Sequence, residues 1–230
     1  TAFHSAWVSS TADFPRNLPH LNIEDFTQQM FAHYLAGCID GDGWFNKNES
    51  VGIAFHIHDR CLALWIRDRI GSRQVRKEKE LTLVYKTNSI GIVYIAWLVK
   101  DRLHHPKRVA NMTTPVLTRT VRDKAEGRDT HTLMAEYGPP HPILPPFESN
   151  WFAGFVQTDG FFQTKIPDGI RVMVTIDRKD PYVLNMIHGH FGGGRCERYN
   201  EKYTSITQKY SSSSHANAFV LVHYFDVRRL

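Results

Sequence analysis

Two aspartates, Asp42 and Asp159, close two copies of one pattern. LAGCIDGDGWF occupies residues 35–45 and FAGFVQTDGFF residues 152–162. Aligned without a gap, both copies keep Ala-Gly at their second and third positions and Asp-Gly followed by two aromatics at their end. A match of that length within one chain makes internal duplication the first explanation. If each copy is a helix, its aspartate sits at the partly negative end of the helix dipole, an unfavourable place for a carboxylate. A cation shared between the two carboxylates offsets that cost.

The same residues indicate the helices that carry this pair. Phe31, Leu35 and Ile39 recur at helical spacing, and Gly43 stops the helix just after Asp42. Small residues lie four apart, Gly37 with Gly41 and Gly154 with Thr158, so each helix carries a flat stripe that lets two backbones approach. Periodicity alone favours two ordinary amphipathic core helices with Asp-Gly turns. The duplication overturns that reading, because Asp42 and Asp159 match while position six changes from Asp40 to Gln157.

The segment after each copy repeats as well. The first half predicts strands at 44–47 and 51–58, a helix at 61–70 stopped by Gly71, strands at 74–79 and 81–85, and a helix at 90–103. The second half predicts strands at 161–166 and 170–177 across the turn Pro167-Asp168-Gly169, and a helix at 181–191. Strands at 195–199 and 203–210 and a helix at 216–230 complete it. The expected fold class is α+β, two pseudo-symmetric αββαββα halves, each with a curved antiparallel sheet, packed through the two motif helices. The expected division is residues 1–110, a linker at 111–150, and residues 151–230.

LAGCIDGDG and FAGFVQTDG resemble the LAGLIDADG homing endonucleases in their single-chain form, which carries two motifs. The resemblance spans the body of the chain. It implies that the motif helices meet on a pseudo-twofold axis and that the last acidic residue of each, Asp42 and Asp159, binds divalent metal. Gln157 departs from the family's commonest residue at a position that is not a metal ligand. The implied activity is site-specific hydrolysis of both strands of a long DNA duplex across the minor groove, by a monomer that uses Mg2+, with Mn2+ as a substitute. Carboxylates holding such an ion neutralise the phosphate, activate water and stabilise the leaving oxygen. Backbone carbonyls near Gly41 and Thr158 would complete the coordination.

Family enzymes add a basic residue after the last helix of a half. In this chain the matching segment is His104-His105-Pro106-Lys107-Arg108, and Lys107 is the catalytic candidate. Leu230 falls where the second half's counterpart would begin, so the resemblance implies either a shortened chain or a half without its own basic residue and terminal helices. Asp59 and Arg178, at the ends of second strands, match positions where relatives place a side chain that orders water.

Net charge is +5 with a pI near 9.1, and the distribution of that charge matters more than its size. Arg73, Arg76, Lys77, Lys79 and Lys86 cluster in one hairpin, and Arg171, Arg178, Arg195, Arg198, Lys202 and Lys209 fall in the corresponding strands. Such sheets contact phosphates with Lys and Arg and read bases with polar residues that alternate outward. Asn46, Asn48, Gln74, Glu78, Gln163, Thr164, Glu197 and Gln208 are of suitable type, and each fits an ordinary exposed strand position equally well. The linker carries Thr113-Thr114-Pro115, a charged run at 119–128 and five prolines between Pro139 and Pro146, a density that opposes regular structure.

Other features point elsewhere with less force. Three widely spaced cysteines argue against a zinc site or a disulfide framework. His56 and His58 fit an exposed strand face better than a metal pair, and Gly192-Gly193-Gly194 reads as a helix stop. No apolar run approaches a membrane span, and no signal peptide is recognised. The first residue is Thr1, which fits a processed product or a chain that omits its native start. The alternative functions are an RNA maturase acting on its own intron, and a DNA-binding relative that no longer cleaves. Target sequence and compartment are not encoded in these motifs, although the family makes a mitochondrion or plastid plausible.

Overall fold

The computed structural model describes residues 27–47, 49–71, 74–87, 89–127, 143–165, 171–200, 205–212 and 214–228. Arg73, Asn48, Lys202, the turn at 167–169 and Pro139, Pro140 and Pro142 lie outside them. Thr27 opens helix α1 (Gln28–Asp42), its Oγ1 accepting the Met30 amide at 3.2 Å. Every residue from Phe31 to Gly41 is buried, because α1 lies at the centre of the molecule against helix α5 (Trp151–Asp159). The stripe of small residues makes this possible. A Cβ on Gly37 would run into the Trp151 carbonyl, and one on Gly154 would run into the Tyr34 carbonyl. The contact is reciprocal, as two copies of one helix related by a twofold axis require.

Strands β1 (Gly43–Asn46) and β2 (Ser50–His56) follow α1 directly, then helix α2 (Arg60–Ile70) and strands β3 (Gln74–Lys79) and β4 (Thr82–Lys86). Gly71 ends α2 at φ 72°, a left-handed conformation that glycine adopts without steric cost. The sheet is antiparallel in the order β1-β2-β4-β3. Helix α3 (Ser89–Val99) closes the half and buries Ile92, Ile95, Leu98 and Val99. The second half repeats the plan with β5 (Gly160–Lys165), β6 (Arg171–Arg178), helix α6 (Tyr182–Phe191), β7 (Gly194–Asn200), β8 (Ser205–Ser211) and helix α7 (His215–Val227). Its sheet runs β5-β6-β8-β7. The expected α+β class and half-for-half element order hold, with ends shifted by a few residues. One shift has a local cause. Strand β2 stops at His56, whose Nδ1 accepts the His58 amide at 3.3 Å, and residues Ile57–Asp59 turn instead of extending.

The segment after Asn111 departs from expectation. Helix α4 (Pro106–Ala125) runs through it, with Pro115 inside. An internal proline removes one backbone hydrogen bond and strains the preceding turn. Anchoring to the first sheet offsets that cost. The turn residue Glu49, 2% exposed, pairs with Arg122 at 2.6 Å and with Arg119 at 3.6 Å, and Arg119 also holds Asp123 at 2.6 Å. Glu49 and Arg119 are buried while Arg122 is half exposed, so removing the shared carboxylate costs about 2 to 3 kcal/mol, less than for a fully buried pair. The proline-rich stretch ends in a short turn, Pro146–Glu148, and Phe147 packs on Trp151, Phe152 and Phe191 to set the entry into α5. Among the described residues, no helix is long and apolar enough to cross a membrane.

Candidate active site

Asp42 and Asp159 end α1 and α5, side by side in the seam, so the duplicated carboxylates meet where the helices meet. Asp159 is mostly buried. Burial pushes its carboxyl up to about 6, Arg178 pulls it down, and the neighbouring Asp42 charge adds to the upward push. Asp42 has an exposed edge, yet the surrounding protein raises its carboxyl too, against Arg178 and Arg108. Both carboxylates are thus held in a medium that favours a cation beside them.

Asp40, just before Gly41 in the same helix, has a different task. It is fully buried and accepts the His104 amide at 2.7 Å, the His105 amide at 3.3 Å and Trp151 Nε1 at 2.8 Å. It therefore fixes the segment that starts α4 and ties α1 to α5. Burial raises its carboxyl to about 6 against those three donors. Gln157 holds the same position in the second motif and donates to Asp59 at 3.1 Å.

With its entry fixed by Asp40, α4 brings Arg108 beside the second motif's carboxylate and exposed Lys107 to the same cavity. They line a cavity of roughly 310 Å³ together with Asp159, Asp177, Arg178 and Lys179. His105 joins the cavity wall through Asp180, 3.4 Å away, although burial lowers its affinity for a proton. Arg108 donates to the Gly41 carbonyl at 3.2 Å. The family resemblance implies a basic residue in this segment, for which Lys107 is the candidate; it is the neighbouring Arg108 that reaches the first motif's backbone. Arg178, expected both among the cations of the sheet surface and at a position where relatives order water, is turned inward to Asp159 at 2.9 Å. The Thr158 hydroxyl bonds back to the Gly154 and Phe155 carbonyls at 3.3 Å and packs against the flat face of Gly41.

Arg76, Lys77 and Lys79 are exposed on β3, the edge strand of the first sheet, with Arg76 3.7 Å from Glu78. Lys209 is half-buried on β8, opposite Asp177. For Arg171, Arg195 and Arg198 the backbone position is described, on β6 and β7. Among the described residues, no three His, Cys, Asp or Glu side chains converge as a metal cage. The donors at the motif ends are two carboxylates and main-chain carbonyls, all hard oxygens. That set fits Mg2+, which retains water and takes few protein ligands, and it does not fit zinc.

Solved structures share this arrangement of helices and sheets. The LAGLIDADG homing endonuclease I-LtrWI bound to target DNA superposes with a TM-score of 0.61 at 15% identity, over 87% of this chain and 84% of that one. The LAGLIDADG meganuclease I-AabMI bound to uncleaved DNA gives 0.60 at 18% identity, over 85% and 83%. The chain has the single-chain LAGLIDADG fold. No protein-family model matches it. Among curated proteins, an uncharacterised cox1 intron-2 protein of Schizosaccharomyces pombe is 29% identical over 212 residues, 89% of this chain. The intron-encoded RNA maturase bI4 of Saccharomyces cerevisiae is 22% identical over 183 residues, 76% of this chain. The aligned parts span 62% and 26% of those two proteins' lengths. In this chain's version of the LAGLIDADG fold, both motif aspartates end the central pair of helices.

Proposed function

We propose that this chain is a site-specific endonuclease that cuts both strands of a DNA duplex across the minor groove. The observation that carries the reading is the seam between α1 and α5, which brings the two duplicated carboxylates together in a partly desolvated place. Asp42 and Asp159, with the carbonyls of Gly41 and Thr158, would hold Mg2+, which when bound supplies phosphate neutralisation, an acidified water and stabilisation of the leaving oxygen. The chain's own residues do the positioning. Close helix packing fixes the separation of the two carboxylates. Lys107, carried by α4 to the Asp159 side, faces the phosphate with its charge. Arg76, Lys77 and Lys79 on the first sheet, and Lys209 with Arg171, Arg195 and Arg198 on the second, meet the phosphates outside the cut and fix the register.

Substituting Asp159→Asn in the full chain tests the assignment. Cleavage should disappear while duplex binding persists within about threefold, since a neutral amide keeps the shape and loses the charge. Loss of binding together with cleavage would make Asp159 a structural residue. A second reading, binding of the intron's own RNA, has one observation behind it, the alignment with a protein named as an intron-encoded RNA maturase. Selective RNA binding that survives Asp42→Asn and Asp159→Asn, with no DNA cleavage by the parent chain, would favour it.

A further inference from the structure

The gap between the two motif ends already holds a positive charge. Arg178 donates from Nη1 to Asp159 Oδ2 at 2.9 Å and to the Asp40 carbonyl at 3.0 Å, and from Nη2 to the Gly41 carbonyl at 3.2 Å. One planar group thus joins the end of α1 to the end of α5. Its seat is built for it. The guanidinium carbon lies 5.2 Å from the centroid of the Phe155 ring, which stacks on Trp151, and the side chain is only 12% exposed. Arg108 puts a second donor on Gly41. The two carboxylates, Asp42 and Asp159, are therefore balanced by two guanidinium groups. A divalent ion draws its affinity from anionic oxygens that lack another cation, and here it must first displace one.

We propose that Arg178 is a resident counter-ion that occupies the divalent-metal position of the DNA-free protein, clamps the two motif ends together, and turns out when the ion binds. The inference rests on the nuclease reading for the location of the metal and adds the competition for it. The neighbouring cavity, walled by Lys107 and Lys179, gives the side chain room to move, and a DNA phosphate arriving there offers the guanidinium a bidentate partner. The clamp is one-sided. By strand register the counterpart of Arg178 in the first half is Phe55, a buried apolar residue, and past the end of that strand Asp59 accepts a neutral amide from Gln157. Metal affinity without DNA is then limited by Arg178, and DNA binding relieves that limit by removing the competitor.

The test is calorimetric titration of the full chain with Ca2+ in the absence of DNA, for the parent, Arg178→Gln and Arg178→Lys. Arg178→Gln should bind Ca2+ about tenfold more tightly than the parent, and Arg178→Lys, which keeps the charge but cannot span three acceptors, by a smaller factor. In EDTA the Arg178→Gln chain should melt below the parent, and Ca2+ should restore it at concentrations that leave the parent unmoved. Unchanged or weaker Ca2+ affinity in the substituted chains overturns the proposal; if Arg178→Gln fails to fold, the Arg178→Lys comparison decides. A duplex-cleavage assay on the same preparations separates the two readings. Tighter Ca2+ binding by the variants of a chain that never cuts DNA would keep the counter-ion and remove the nuclease. Mg2+-dependent cleavage by the parent with unaltered affinity in the variants would do the reverse.

Discussion

The ends of β2 and β6 occupy corresponding places in the two halves, yet one leads to Asp59 and the other carries Arg178. Asp59 accepts from the Gln157 amide, whereas Arg178 reaches across the seam to the backbone of the first motif and binds the carboxylate of the second. Position six differs in step. Asp40 is buried and pins the entry to α4, while Gln157 makes a single bond at the surface of the seam. The outer helices differ in what lies beside them. Trp97 and Leu98 of α3 are buried beside α4, but on the matching helix α7, Phe219 is 73% exposed and Val222 is exposed with it. Duplication has thus preserved a backbone and a pair of carboxylates, whereas the charges around them were free to specialise. In this chain the cations gather on the Asp159 side.

The feature the halves share most fully, the seam, should also respond most strongly to substitution. Gly37→Val and Gly154→Val each place a branched side chain against an opposing carbonyl, and each should cost more than about 3 kcal/mol or prevent folding. Urea unfolding of the pair should give closely similar losses; a mild effect at one glycine would end the twofold account of the seam. Next in size is an effect confined to the first half. Glu49→Gln leaves Arg119 and Arg122 without their buried carboxylate and should cost about 2 to 3 kcal/mol, with faster hydrogen exchange along α4. Unchanged exchange there would mean that apolar contacts alone hold the helix.

A pH difference separates the two residues at position six. The folded protein raises Asp40 from its ordinary 3.8 to about 6, so it holds a proton that the unfolded chain has already released. Stability from this group is present at low pH and is lost as pH rises from about 4 to about 6. Asp159 shifts in the same direction. Asp40→Asn should therefore flatten part of the fall in the urea midpoint over that range, while Gln157→Asn should leave the slope unaltered. The smallest effect concerns the sheet surfaces. Lys79→Ala and Lys209→Ala should each reduce the salt dependence of duplex binding by about one phosphate contact and leave stability within about 0.5 kcal/mol. A change at only one of them would show that the two sheets do not share the DNA equally.

Much of the fold was legible because its signals are local. Gly43, Gly71 and Gly192 end helices, Pro181 lies just before α6, and alternation along 74–79 marks β3. The seam was legible from glycines spaced to allow contact. Helix α4 was not, because Pro115 speaks against it locally and the pairs that hold it, Arg122 and Arg119 with Glu49, join residues about seventy positions apart. The site divided in the same way. Asp42 and Asp159 are named by repetition, and Lys107 by the family resemblance. Arg178 repeats nothing in the first half, so its inward turn depends on Asp159, the first motif's carbonyls and the Phe155 ring meeting in three dimensions.

The proposed reaction depends on the two carboxylates at the seam cutting DNA with a divalent ion. Digestion of a randomised duplex library by the purified full chain in Mg2+, with Ca2+ and EDTA as controls, reads this out by sequencing of the ends. Double-strand breaks at one long site are expected in Mg2+ alone. Selective capture of a duplex without breaks in any of the three conditions would contradict the nuclease assignment.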